Sequence, residues 1–504
     1  MSLVSNAFLI FVLTAVVLYY LIPGRYQWIL LLLSGYVYYL SGNASCLVYI
    51  LFSTLVTYMA ALLIESRQKA GKPGEQQKAA LCIGLILNFG MLFSVKYLGF
   101  ITGNLNQLFH LEIPGISILL PLGISFYTFQ TSGYLLDVYW NKIEPEKNLL
   151  KFSLFVSFFP QLLQGPIGRY DRLAPQLTQP HQLDWNHIAR GVERMIYGFC
   201  KKLIIADWAA VFTDAIWGNL DKYNGLALFG LLFYGIQLYA DFSGAMDVVL
   251  GVAELFGIHL DENFRRPYLA VSMADYWKRW HITLGEWMMD YIFYPVSLSK
   301  FMKWLSGHTR RIFGKKTGRL VPTALCDLIV FFFVGIWHGA SWKYVFYGFL
   351  NGGIIAFSVL MGNQYRKWKK ALHISGSEAW YHVFCIVRTF IIVNLRWFLD
   401  RSEDMKQGFR VLKLAFTRFS PAQLFLIPAG REGKAFTLPA LAIICAGCII
   451  MLALGIMEEK GIDIRSRINS LRFPVAAAIC FLLFLMIGLF GCTAAPRGFI
   501  YAQF

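Results

Sequence analysis

Charge is scarce in this sequence. Asp, Glu, Lys and Arg together make up 15% of its 504 residues, against about 25% in an ordinary soluble domain. Apolar side chains reach 57% and the mean hydropathy is +0.53. This excludes a water-soluble globule; the chain dissolves in lipid. Also missing is the alternating ten-residue pattern of an outer-membrane barrel, so backbone polar groups inside the bilayer must be satisfied within helices. No basic stretch precedes the first apolar run and no small-residue cleavage site precedes Pro23-Gly24-Arg25. Residues 1–22 therefore read as a retained first helix rather than a signal peptide. No internal repeat and no Pro/Gly/Ser linker divides the chain, which reads as a single integral-membrane domain over 1–504. The nine cysteines are scattered, and the close pair Cys445-Ala-Gly-Cys448 lies in an apolar run, so they read as small apolar residues. No His/Cys/carboxylate cluster occurs at ligand spacing, and no metal site is expected.

What is present is a succession of apolar runs, each near the roughly 20 residues needed to cross about 30 Å of hydrocarbon as helix. Clear runs lie near 5–22, 45–64, 79–100, 225–244, 321–337, 343–361, 380–399, 434–457 and 471–491, with shorter or broken ones near 28–41, 117–136, 149–164, 190–210 and 283–299. The reading is an all-α polytopic bundle of eleven to fourteen membrane segments, some re-entrant.

The charge that exists is mostly positive, 46 Lys and Arg against 29 Asp and Glu. The bases sit in short loops: Arg67, Lys69, Lys72 and Lys78 in one, Lys300 to Arg319 in a second, Arg366, Lys367, Lys369 and Lys370 in a third. That is the pattern that orients helices with basic loops in the cytoplasm, and it replaces nucleic-acid binding as the explanation. Ionisable groups inside apolar runs cost a few kcal/mol each and are functional candidates by default. They are Lys96, Asp137, Asp241, Asp247, Arg388 and Arg396, and their competing role is that of buried structural ion pairs. Asp241 and Asp247, six apart, point about 120° from each other around a helix and call for different partners.

Of nine histidines, His110, His181, His187, His308 and His373 fall in loops, and His259 and His382 at segment edges. His338 ends the run Phe331–Trp337 and is followed by Gly339-Ala340-Ser341-Trp342, which opens the next segment. An imidazole, with an ordinary pKa of about 6.5, can take a proton from a hydroxyl near pH 7. The alternative is an imidazole satisfied by a carbonyl at a helix end. His281 lies in the aromatic and basic stretch Asp275–Trp287, which equally suits an interfacial anchor.

Five motifs then occur in order: Leu120–Gln130 with Asp137-Val138-Tyr139; Phe158-Phe159-Pro160-Gln161 with Gly165-Pro166-Ile167; Gln237–Gly244; Asn263–Tyr268; and Trp337–Trp342. As a set they resemble the membrane-bound O-acyltransferase superfamily, in the bacterial branch that includes alginate O-acetylation membrane subunits. The likeness is carried by about 115–345, within a core of about 115–400, with additional C-terminal helices near 434–491. It implies a central funnel, with His338 as general base and His281 as the second, more variable polar position. It also implies an acyl donor, acetyl-CoA or an acyl carrier, arriving from the cytoplasm, and no bound cofactor. The acceptor is an extracytoplasmic polysaccharide hydroxyl or a partner transferase, at a bacterial plasma membrane. Trp337, Ser341, Trp342 and Asp241 are candidate substrate contacts; for Ser341 the competing role is close helix packing. Two other functions compete: D-alanyl transfer to teichoic acids, within the same superfamily, and transport along Asp241, Asp247, Arg388 and Arg396. The pseudo-symmetric halves of a transporter are absent from the sequence.

Overall fold

A helix crosses a bilayer only if it is long and apolar, because each residue adds about 1.5 Å. The computed structural model describes every residue except 43, 71–73, 115–120, 122, 163, 421, 424–437, 471–472, 493–497 and 500–504. Among the described residues, seven helices are long and apolar enough to span: Ala44–Lys69, Glu75–Lys96, Asn224–Glu254, Leu320–His338, Trp342–Ala371, Ala379–Arg401 and Pro439–Glu459. Asn6–Leu21 and Ala477–Phe490 are shorter apolar helices. The described residues form no strand, only the isolated bridge between Phe264 and Trp280. The chain is an all-α, multi-pass membrane protein.

The five weaker apolar runs are short or interrupted. Gln27–Leu40 has 14 residues, about 21 Å of helix. The run near 149–164 breaks into Leu149–Ser157 and Phe159–Leu162. Near 190–210, Trp185–Phe199 passes into the π-turn Cys200–Ala206 before Asp207–Gly218. Near 283–299, Ile282–Met288 and Tyr294–Ser297 flank a second π-turn, Met289–Phe293. The run near 117–136 begins outside the described residues and continues as Ile124–Tyr139, almost wholly buried.

The helix Ala227–Glu254 forms the centre, and glycine lets its neighbour approach. A Cβ on Gly198 would lie 2.6 Å from the Gly244 carbonyl oxygen, and one on Gly251 would lie 2.6 Å from that of Gly191. The two backbones therefore touch along a seam of small residues, the packing mode that lipid favours. Gly251→Leu should cost about 1–3 kcal/mol by overpacking. It is expected to lower the melting temperature of the detergent-solubilised protein, whereas Gly90→Ala, which meets open space, should leave it unchanged.

Contacts at the helix ends fix which loops share a face. The hairpin Leu320–His338/Trp342–Ala371 puts its basic flanks, before 320 and at 366–370, at one end and His338 at the other. Lys96, closing Glu75–Lys96, donates to the Trp337 carbonyl, so the loop before 75 lies at the end opposite His338. All three basic loops thus share one face, which the positive-inside rule assigns to the cytoplasm. The helix Ala227–Glu254 runs toward that face, since Gly225 at its start bonds to Ser420 and Gln423 in the segment after Arg401.

Buried charges stitch the core. Lys202 Nζ lies 2.6 Å from Asp241 and 2.8 Å from Asp207. Asp247 meets Lys201 at 2.6 Å and Arg194 and Arg465 at 3.1 Å each. Asp241 and Asp247 have different partners, as their spacing implies, and both are held in ion pairs.

Candidate active site

His338 is the last residue of Leu320–His338. Lys96 Nζ donates to the Trp337 carbonyl at 2.5 Å and Tyr97 Oη to the Ile336 carbonyl at 2.6 Å, satisfying carbonyls that a helix C-terminus leaves open. Gly339 ends the helix in extended geometry, and a Cβ there would lie 2.6 Å from the Tyr344 ring. That ring stacks on His338 with centroids 5.9 Å apart. Tyr347 meets the same imidazole edge-on at 5.2 Å. Helix end, turn and aromatic walls together hold a buried histidine in one orientation.

Lys96, a lone charge in the sequence, thereby braces the helix end that carries His338. Lys96→Met is expected to lower turnover by about 10- to 100-fold, since misplacing a reacting group by an ångström costs that much. The check is kcat measured in proteoliposomes, at unchanged folded yield.

His281 is set by the preceding loop. Residues 263–265 pair with 279–282 through Arg265 N–H to the Arg279 carbonyl and Ile282 N–H to the Asn263 carbonyl. His281 itself adopts left-handed backbone, φ 48°, between Met273–Arg279 and Ile282–Met288. Three donors converge on Asn263 Oδ1: His281 Nδ1 at 3.1 Å, Thr283 N at 3.1 Å and Thr283 Oγ1 at 3.0 Å. The imidazole proton is therefore on Nδ1, and Nε2 is left as an acceptor. That nitrogen is buried without a hydrogen-bond partner. Burial pushes the His281 pKa down to about 3, so the ring is neutral at physiological pH.

The Trp337 indole lies between the two histidines, 5.6 Å from the His281 ring and 4.9 Å from that of His338. Its Nε1–H, the Nε1–H of Trp277 and the hydroxyl of Ser341 are also buried without hydrogen-bond partners. Arg396, 2% exposed, sits over the rings of Tyr276, Trp277, Tyr347 and Trp397 at 4.2–5.7 Å and donates to Tyr347 Oη and Asn351 Oδ1. Among the described ion pairs none involves Arg396; aromatic faces stand in for the carboxylate expected from sequence. Arg388, by contrast, donates to the Val271 carbonyl at the surface.

Of the residues singled out from sequence, the fold brings His338, His281, Trp337 and Ser341 together. Trp342 is 59% exposed and its indole donates to Asn104. Asp241 is engaged by Lys202. Sequence reading missed Asn263 as the holder of His281 and Arg396 as a neighbour of Tyr347. It also missed a cavity of about 790 Å³. Its lining includes Tyr239, Ser243, Met246, Asn263 and Tyr268 together with the charged Arg194, Glu262, Arg265, Glu458 and Arg465. Asn263, which holds His281, is part of its lining.

Residues 146–307 match the membrane-bound O-acyltransferase family. A "probable alginate O-acetylase" of Azotobacter vinelandii is 32% identical over 419 residues, 82% of this chain and 77% of that protein. A "peptidoglycan O-acetyltransferase" of Helicobacter pylori is 31% identical over 413 residues, 76% of this chain and 72% of that one. A "teichoic acid D-alanyltransferase" of Bacillus subtilis is 27% identical over 303 residues, 57% of this chain and 70% of its own. With two buried histidines around an indole whose single N–H donor has no partner, these likenesses identify the chain as an acyltransferase belonging to the membrane-bound O-acyltransferase family.

Proposed function

We propose that this enzyme moves an acetyl group from a cytoplasmic thioester donor, acetyl-CoA or an acyl carrier, to a hydroxyl on the far side of a bacterial plasma membrane. The hydroxyl belongs to a cell-surface polysaccharide or to a partner transferase that serves one. The observation that carries this reading is the group of unpartnered buried polar atoms, His281 Nε2, Trp277 Nε1, Trp337 Nε1 and Ser341 Oγ. Buried polar groups without partners are rare in folded proteins and call for an explanation, and a bound substrate would supply the missing bonds here. Two of them, His281 Nε2 and Trp337 Nε1, belong to rings that meet beside His338, at the helix end remote from the basic loops.

In the proposed step the acceptor oxygen attacks the thioester carbonyl carbon while His338 takes the hydroxyl proton. The C–S bond then breaks, and the imidazolium returns its proton to the leaving sulfur. Indole N–H groups of Trp337 and Trp277 are the available donors for the intermediate's oxyanion. Neutral His281, with Nε2 free to accept, orients the donor or shares the proton. The 790 Å³ cavity falls in the size range of small-molecule sites and supplies the cytoplasmic approach.

Acetyl is preferred to D-alanyl because the acetyltransferase relatives match 76–82% of this chain, the D-alanyltransferase 57%. Mass spectrometry of surface polymers from cells with and without the gene separates the two. Loss of acetyl esters supports the proposal; loss of alanyl esters, with acetyl esters intact, overturns it.

A further inference from the structure

We propose that His187, Glu254 and His259 form a binding site for a borderline divalent transition cation, zinc being the type case, at the cytoplasmic end of the bundle. One ligand atom from each lies within 4.8 Å of the others. His187 Nδ1 is 3.0 Å from one oxygen of Glu254 and His259 Nδ1 is 2.8 Å from the other. Their rings stand 5.3 Å apart. Two imidazoles thus turn the same nitrogen toward one carboxylate, each to a different oxygen of it. Zinc bonds of about 2.0–2.1 Å in tetrahedral array hold ligand atoms about 3.3 Å apart, so each imidazole backs away from its Glu254 oxygen by a few tenths of an ångström while the widest separation in the group, at most 4.8 Å, closes toward that value. Two nitrogens and a carboxylate oxygen are a donor set for zinc rather than for magnesium or calcium, which prefer oxygen alone.

Two further features point to a cation. Glu254 is the last residue of the 28-residue helix Ala227–Glu254, whose C-terminal carbonyls add partial negative charge. The other nitrogen of His187 faces the Asp184 carboxylate at 3.7 Å, in the outer position that orients ligating imidazoles. Asp184 and His187 also line an adjoining cavity of about 610 Å³, from which water can complete the coordination. The ligands are 67 and 5 residues apart in sequence, so no spacing motif announces them. A bound ion would tie the start of Trp185–Phe199 to the end of Ala227–Glu254, the two helices that meet at Gly191 and Gly251.

The test takes the full-length, detergent-purified protein, stripped with a chelator, dialysed and titrated with zinc chloride. Bound metal is measured by elemental analysis and stability by thermal melting. One zinc per chain is expected, with a rise in melting temperature. Either His187→Ala or His259→Gln should weaken binding at least about tenfold and remove the rise. His259 is 59% exposed, so its replacement leaves the core intact. His338→Ala should bind zinc as the wild type does, which keeps this outcome independent of the acyl-transfer reading. Substoichiometric zinc in the wild type, or unchanged affinity in both histidine variants, would overturn the site; Glu254 then merely accepts two imidazole hydrogen bonds.

Discussion

His338→Ala lowers acyl transfer by about 10²–10⁴-fold, the contribution of a positioned general base, without loss of folded protein. The imidazole ends its helix, and the carbonyls of the last turn are held by Lys96 and Tyr97. Truncation to alanine therefore removes the proton acceptor while the backbone stays clamped. Because the proton moves in the transition state, the loss should appear in kcat, with KM for the donor little changed. Initial rates in proteoliposomes with saturating acetyl-CoA read this out. A variant retaining more than half the wild-type kcat would remove His338 from the chemistry.

Lys202→Ala is expected to be the most damaging substitution for folding. The ammonium lies 2.6 Å from Asp241 and 2.8 Å from Asp207 and is 2% exposed. Taking away one member of a buried ionic group costs about 3–5 kcal/mol, because the remaining charges stay desolvated. That is a large part of the 5–15 kcal/mol that holds a typical protein folded, so the variant should be depleted from membranes. A triple variant, Lys202→Met with Asp207→Asn and Asp241→Asn, should recover much of the lost protein. Quantitative blotting of membranes checks both, and an undiminished Lys202→Ala level would show that the cluster is dispensable.

The two predictions divide the buried charges into those that build and those that react, a division only partly legible in the sequence. His338 could be singled out because its helix, its turn and the next helix are contiguous, so one local pattern describes the site's far end. The distinct partners of Asp241 and Asp247 followed from helical angle alone. The identities of those partners did not: Lys201 and Lys202 are adjacent, and they reach two aspartates six residues apart from within a π-turn, which hydropathy does not reveal. His281 offered only an aromatic and basic neighbourhood. Its role depends on Asn263, 18 residues earlier, brought to it by a backbone pairing too short to register as a strand pattern. Arg396 looked like half of an ion pair because intramembrane charge usually finds opposite charge. Aromatic rings from three separate segments, whose convergence is a property of the fold, take that place. The five weaker apolar runs illustrate the same limit, since composition marks them as lipid-compatible but does not show where their helices are short or interrupted.

The central claim is that this chain esterifies an extracytoplasmic acceptor through His338. The most direct measurement is the acetyl-ester content of surface polymer in a deletion strain complemented with either wild type or His338→Ala, at membrane levels matched by blotting. The account predicts that the wild type restores the esters and His338→Ala leaves them at the deletion level. Full restoration by His338→Ala would contradict it.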